Sequence, residues 1–262
     1  MFLLLVLIGV LSGMTTVLFG FGGGFVTVPV VIWVEVAAGP DAGRIAVATS
    51  AVVMVVNAAI ATASTRRDVL EQLRGRGPLF ALLAAGGTVG ALLALHVPAG
   101  IASWGFVLYL AVTIVDVLVR PGFLRPLRPT PASGRTIRDG WGAPIGAVAA
   151  FLGVGGSVMT VPLLRRSGLP MRIATALANP LTLAVSAPAT VAFLTADGTA
   201  ASGGLLMTGA VDIGAALLLL LGAVSIIVLL RRRPPRIPDH AHAWAYLTLL
   251  VAAAAAMVPR II

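Results

Sequence analysis

The chain has 262 residues, of which 59% are hydrophobic and 10% charged, and its mean hydropathy is +1.05. Soluble domains carry roughly 25% charged residues, so this composition excludes a soluble globular protein and predicts an all-α polytopic membrane protein. The net charge of +9 comes entirely from arginines in short loops between apolar runs, which is typical of cytoplasmic loops and argues against nucleic-acid binding, and the absence of Cys excludes thiolate metal sites and disulfides.

The first apolar run covers residues 2–18, is interrupted by glycines at 20–24 and continues over 25–36. No Arg precedes this run, so we expect a retained first helix rather than a secretory signal. The next apolar segments, each long enough for a membrane helix, cover 45–63, 78–95 and 101–119.

A stretch rich in Pro and Arg follows at 120–139, and we predict that it is a cytoplasmic linker between an N-terminal repeat, 1–119, and a C-terminal repeat, 140–262. After the linker the pattern recurs, with an apolar run at 141–152 and a glycine break at 153–156. The remaining apolar segments cover 158–164, 173–194, 205–230 and 243–258.

Two sequence matches support an internal repeat. "GFGGGFVTVPVV", which begins at Gly20, aligns without gaps onto "GVGGSVMTVPLL", which begins at Gly153, and six of the twelve positions are identical at an offset of 133 residues. "RIAVA" at Arg44 then aligns onto "RIATA" at Arg172 at an offset of 128. Because the matches occur in the same order, we predict two copies of one fold.

The arginine distribution predicts the orientation of the two copies. Loops 64–77, 165–172 and 231–242 and the linker are rich in Arg and are placed inside, whereas loops 96–100 and 195–204 lack Arg and are placed outside. Equivalent helices then run in opposite directions. The predicted architecture is two inverted repeats, each a glycine-broken hairpin followed by three transmembrane helices, in the cell membrane with both termini outside.

The glycine breaks are the predicted functional elements. About twelve residues of helix rise about 18 Å, which is too short to cross a membrane, so 141–164 is predicted to be a re-entrant hairpin. For 1–36 both a hairpin and two crossings stay open. Each turn would aim a helix N-terminus, an anion-binding element, at the membrane centre. The candidate turn residues are Gly22, Gly23, Gly24, Gly155, Gly156 and Ser157.

Polar residues inside the spans are further candidates for substrate binding. Thr27 and Thr160 follow the glycines at matched positions, where their hydroxyls either contact a substrate or bond to their own helix. Pro180 breaks the helical ladder after Asn179 and frees carbonyls. The other candidates are Thr49, Ser50 and Asn57.

Charged residues give a last group of candidates. Asp116 and Asp212 lie within predicted spans, and an intramembrane carboxylate is a candidate for proton or ion coupling, although Asp116 can also pair with Arg120. Arg44 and Arg172 begin matched helices, where they attract anions or anchor the helices at the interface. The histidines (His96, His240 and His242) are expected to be solvated, and no metal site or cofactor is expected.

The glycine block with its downstream Pro29, the "ATS" at 48–50 and the second copy around Gly153 and Pro162 resemble the sulfite exporter TauE/SafE family of membrane permeases. The second copy departs from the pattern at Ser157 and at Leu177–Asn179. The resemblance implies a secondary transporter of small sulfur-containing anions, such as sulfite or organosulfonates, and not an enzyme. The coupling ion and the oligomeric state stay open.

The sequence leaves other functions open. An anion channel on the same fold is the main alternative to a carrier that works by alternating access at the repeat interface. An intramembrane enzyme would need a catalytic constellation at membrane depth, and a membrane scaffold would need none. The expected partners are therefore a small anion and the lipid bilayer, with a coupling proton or ion.

Overall fold

The computed structural model describes residues 2–34, 42–125, 137–196, 206–232 and 235–257. These residues are mainly helical, and seven of the helices are long and apolar enough to cross a membrane: α1, α3, α5, α6, α9, α10 and α11. The helices are α1 Phe2–Phe19, α2 Gly24–Val34, α3 Ala42–Ala63, α4 Arg67–Leu70, α5 Gly77–His96, α6 Ala99–Val119, α7 Gly142–Leu152, α8 Ser157–Arg166, α9 Met171–Leu194, α10 Ile213–Arg232 and α11 Asp239–Met257. The predicted all-α polytopic class is confirmed.

Each predicted apolar run corresponds to a helix, with one substantial difference. The run 205–230 does not begin as helix, because Met207–Thr208 (β1) and Val211–Asp212 (β2) form a short antiparallel hairpin before α10. Gly209 makes its turn with a φ of +57°, and the Ala210 N–H donates to Phe193 O at 3.0 Å. Hydropathy alone does not distinguish such a hairpin from a helix. The predicted linker, 120–139, and the predicted loop 195–204 lie largely outside the described residues.

The segment α7–α8 enters and leaves the helix bundle at the same end. A Cβ built on Gly142, at the start of α7, would lie 3.0 Å from Leu79 O, near the start of α5. At the end of α8, Arg166 pairs with Asp116 near the end of α6, at 2.7 Å. Since α5 and α6 are joined by two residues and run antiparallel, both ends of α7–α8 lie at one end of that pair. This geometry is the re-entrant hairpin expected for 141–164.

The segment α1–α2 also returns to the end from which it starts. Leu5 of α1 and Val31 of α2 belong to one buried cluster with Ala46 and Ala215, which lie near the starts of α3 and α10. The first arm, α1, is longer than the second arm, α2. It reaches the start of α11, where Leu18 O accepts a hydrogen bond from Nε2 of His242. A hairpin and two crossings both return the chain to its starting end, so both possibilities for 1–36 stay open.

The ends of the helices lie on two opposite sides of the bundle. At one side α3, α6, α8 and α10 end and α5, α7, α9 and α11 begin; we call it the basic end because arginines line it. The side where α2 ends and α1, α3 and α10 begin is the opposite end. The long helices α3 and α9 therefore start at different ends, and the inverted repeat stays a prediction.

Glycines let two pairs of helices approach closely. Gly9 and Gly13 of α1 lie against α10, and Gly142 and Gly146 of α7 lie against α5. Each pair has the Gly-x-x-x-Gly spacing that allows close contact of membrane helices. The two pairs are related by 133 residues, the offset of the glycine breaks, so the first arm of each hairpin packs against a long helix of the other half.

The close α5–α7 contact predicts opposite responses to one substitution at two glycines. A Cβ at Gly146 would lie 2.3 Å from Leu83 O, whereas a Cβ at Gly100 meets no atom within 4 Å. Gly146→Ala should lower the stability by about 1–3 kcal/mol because of overpacking. Gly100→Ala should be neutral or stabilising, since Ala favours helix over Gly by about 1 kcal/mol. Thermal unfolding of detergent-solubilised protein measures both; equal melting temperatures would contradict the packing.

Candidate functional site

Two glycine loops lie between the arms of the hairpins. The first loop, 20–23, joins α1 to α2, and the second loop, 153–156, joins α7 to α8. The φ angles of Gly22 and Gly155, which are equivalent positions, are +65° and +66°. Residues with a Cβ rarely adopt such angles, so both chain reversals depend on glycine.

Both loops pack against the same two side chains, Met54 of α3 and Thr182 of α9. A Cβ built on Gly22 would lie 2.7 Å from Thr182 Cγ2 and 3.5 Å from Met54 Cγ, and a Cβ built on Gly155 would lie 2.8 Å from Thr182 Cγ2 and 3.1 Å from Met54 Sδ. Met54 and Thr182 are themselves related by the 128-residue offset of the helix match. The loops thus meet at a point where equivalent residues of the two halves face each other.

The loops also touch directly. A Cβ on Gly24 would lie 2.4 Å from Gly153 O, so α2 begins against the backbone of the second loop. The Ser50 hydroxyl lies 2.7 Å from Val47 O and 3.2 Å from Gly153 O and holds the second loop against α3. Gly23 leaves no space for a side chain, because its Cβ would lie 2.1 Å from Ser12 Oγ.

Unpaired polar atoms occur on α8, the second arm of the second hairpin, and on the long helices α3 and α9 that contact the loops. Each belongs to a side chain that is at most 1% exposed. In the part of the chain that the structure describes, these atoms have no hydrogen-bond partner: Asn57 Oδ1, Ser157 Oγ, Thr160 Oγ1, Asn179 Oδ1, Thr182 Oγ1 and Ser186 Oγ. An unsatisfied buried polar group costs about 1–3 kcal/mol. A bound ligand that accepts hydrogen bonds from the four hydroxyls would remove most of this cost.

Two helix N-termini add positive potential at the same place. α2 begins at Gly24 and α8 begins at Ser157, which are equivalent positions 133 residues apart. The first N–H groups of a helix have no intrahelical acceptor, and the helix dipole makes this end favourable for negative charge. Hydroxyl donors and two N-termini around one buried point make an environment suited to a small anion.

Besides Ser50, two more of the candidate hydroxyls have hydrogen-bond partners. The Thr27 hydroxyl lies 3.2 Å from both Gly23 O and Gly24 O and bonds to its own helix, which is one of the two possibilities that the sequence left open. Thr49 Oγ1 accepts the N–H of Asp212 at 3.0 Å and therefore faces the β hairpin. Thr160, the residue matched to Thr27, has a hydroxyl without a hydrogen-bond partner among the described residues, so the two half-sites differ chemically.

The two carboxylates do not lie at the loops. Asp116 pairs with Arg120 at 3.2 Å and with Arg166 at 2.7 Å at the basic end. The expected position of Asp212 within a span is wrong: it lies in β2, immediately before α10, and its Oδ1 accepts the N–H of Ala215 at 3.0 Å as a helix N-cap. Coupling by either acid stays a prediction.

The two matched arginines have different surroundings. Arg44 donates to Leu95 O, near the end of α5, at 3.4 Å. Arg172, at the start of α9, lines a cavity at the basic end. The equivalence of the two positions in the sequence therefore does not extend to their contacts.

Several important residues were missed or misjudged from the sequence. Met54 and Thr182 were missed. Extending the helix match by ten residues, from Arg44 to Met54 and from Arg172 to Thr182, would have identified them as equivalent positions. Arg165 was taken for a loop residue, but it is 1% exposed, donates to Phe123 O and Leu169 O at 3.0 Å each and pairs with Asp239. His242 is buried rather than solvated, since its ring donates to Leu18 O and packs 5.4 Å from the Phe19 ring.

Comparison with protein families identifies the chain. The family model described as Sulfite exporter TauE/SafE matches residues 5–257, nearly the whole chain, so the chain belongs to this family and the predicted resemblance is confirmed. Comparison with curated proteins and with solved structures gave no match. Members of the TauE/SafE family are membrane transporters. The chain, with its seven candidate spans, is a multi-pass membrane protein of this kind.

The second loop predicts that two neighbouring glycines differ sharply. Gly155 has a positive φ and a Cβ there would collide with Thr182, whereas Gly156 has a φ of −69° and the nearest atoms to its Cβ would be 3.6 Å away. Gly155→Ala should lower the thermal stability, and Gly156→Ala should not. A melting temperature that falls equally in both variants would contradict the loop conformation.

Proposed function

We propose that this member of the TauE/SafE family is a secondary transporter of small sulfur-containing anions, such as sulfite or organosulfonates, which bind between the two glycine loops. The observation that carries the proposal is the cluster of buried, unpaired hydroxyls at Ser157, Thr160, Thr182 and Ser186 beside two helix N-termini. These groups can all donate to the oxygens of one oxyanion. The family's description as a sulfite exporter supports the choice of substrate and the outward direction.

Transport would proceed by alternating access between two inverted repeats. Supporting this architecture, α1 packs along α10 and α5 packs along α7, and Met54 and Thr182 face each other from equivalent positions. Movement of one half against the other would then open the same loops first to one side and then to the other.

The burial of the site favours a carrier over a channel. Both glycine loops and the hydroxyls around them are buried in this conformation, whereas a channel needs a continuous water path. An anion would reach such a site only after a conformational change, which is the behaviour of a carrier.

The positive-inside rule places the basic end in the cytoplasm of the cell and both termini outside. Transport would be coupled to a proton or ion gradient. Of the two candidate acids, Asp116 is the better placed, because its arginine partners lie just after α6 and at the end of α8, and α8 is an arm of the hairpin that would move. Asp212 is held by its capping bonds.

Replacement of one site hydroxyl tests the proposal. Thr182→Val keeps the shape of the side chain and removes its donor, and a hydrogen bond to a charged group is worth about 1.5–3 kcal/mol, so we expect an increase of about 10- to 100-fold in the sulfite concentration that gives half-maximal flux. Flux into proteoliposomes measures this value.

Thr27→Val is the matched control, because the Thr27 hydroxyl is bonded to its own helix. It should leave the half-maximal concentration nearly unchanged. Wild-type flux by Thr182→Val, or equal losses in the two variants, would remove the loop site from the mechanism.

A further inference from the structure

A cavity of about 430 Å³ opens at the basic end of the bundle. Its walls come from the end of α3, the start of α9 and the end of α10, together with Leu18 and His242. We call this cavity the vestibule. Its size is within the range of small-molecule sites, about 300–1,000 Å³.

The vestibule approaches the first glycine loop. Leu18 and Thr175 line it, and a Cβ on Gly20 would lie 2.4 Å from Thr175 O. The wall of the vestibule is therefore in contact with the loop that forms one side of the proposed substrate site.

Two arginines of the vestibule are in unfavourable electrostatic surroundings. Arg172, which is exposed, and Arg231, which is half-buried, both line the cavity, and their like charges disfavour each other. Arg172 also lies in the first turn of α9, where the helix dipole disfavours a cation. Among the described residues, neither arginine has a carboxylate within 4 Å.

The other charged residues of the vestibule do not relieve this repulsion. Asp68 is held by Arg66, with 3.0 Å from Nε to Oδ1 and 2.8 Å from Nη2 to Oδ2. This hydrogen bond lowers the pKa of Asp68 below its usual value, so the carboxylate stays ionised and neutralises Arg66. The hydroxyls of Ser64 and Thr65 donate to carbonyls of their own helix.

Arg231 has in addition an unused donor. Its Nε is buried and has no hydrogen-bond partner among the described residues. The position of Arg231 in the last turn of α10 suits the helix dipole. The position of Arg172 in the first turn of α9 does not, because a helix N-terminus disfavours a cation. Arg44, the sequence equivalent of Arg172, donates to a helix-end carbonyl instead.

We propose that the vestibule is a second anion site, in which Arg172 and Arg231 together bind one small oxyanion group. The bound anion neutralises the repulsion between the two guanidinium groups, and both can donate paired hydrogen bonds to its oxygens. A free sulfite or sulfonate and the phosphate of an anionic lipid headgroup share this chemistry. As a waiting position for the substrate next to the first loop, the site rests on the proposed function.

Charge reversal at Arg172 tests the site without depending on loss of fold. Arg172→Glu should form an ion pair with Arg231 and suit the N-terminus of α9, so the variant without anion should melt at a higher temperature than the wild type. The same variant should lose the vestibule anion. Arg44→Gln is the matched control and should retain the anion.

Calorimetric titration of the full chain with sulfite, in nanodiscs of neutral lipid, separates this site from the loop site. The wild type and Arg44→Gln should bind two sulfites per chain, whereas Arg172→Glu should bind only at the loops and Thr182→Val only in the vestibule. Unchanged stoichiometry in Arg172→Glu, or complete loss in Thr182→Val alone, overturns the vestibule site and leaves the proposed function standing.

A second set of measurements, with an anionic lipid in the nanodiscs, identifies the source of the oxyanion. One outcome is that sulfite binds to none of the proteins, whereas phosphatidylglycerol in the nanodiscs stabilises the wild type and not Arg172→Glu. The vestibule then holds a lipid headgroup, and the proposed sulfite transport is the part that fails. If neither probe distinguishes Arg172→Glu from the wild type, the vestibule is not an anion site.

Discussion

Backbone hydrogen bonding in a medium without water is the constraint on which the rest of this structure depends. A helix that stops in the middle of a membrane exposes N–H and C=O groups, and these are tolerated only where protein covers them or water reaches them. In this chain α1 ends at Phe19 and α7 ends at Leu152, and a glycine loop follows each end. The fold places both breaks against each other and against Met54 and Thr182. In the proposed function, the same groups that make the breaks costly would donate hydrogen bonds to an anion.

Close helix packing makes this arrangement possible. The first arm of each hairpin carries a Gly-x-x-x-Gly pair and packs against a long helix of the other half. In the proposed mechanism, a small shift between α1 and α10, or between α5 and α7, would change the contacts between the glycine loops.

Local patterns predicted much of this structure. Hydropathy located nearly all helices, because membrane spans are long and apolar, and repeated glycines located both breaks, because a positive φ needs Gly. The sequence did not reveal contacts between distant segments. The cap made by Asp212, its bond to Thr49, and the buried pair of Arg165 and Asp239 all join residues whose proximity only the folded chain creates. The β hairpin before α10 was missed because it is short and lies within a longer apolar run, 205–230.

Anomalous diffraction from crystals soaked with selenite, a heavier analogue of sulfite, tests the central claim most directly. The chain has no Cys, so no thiol of the protein can reduce the probe. The account predicts a selenium peak between the two glycine loops, within hydrogen-bonding distance of the hydroxyls of Ser157 and Thr182. The crystals should be grown from protein that is competent for transport. Selenium bound only elsewhere, with no peak between Gly22 and Gly155, would contradict the account.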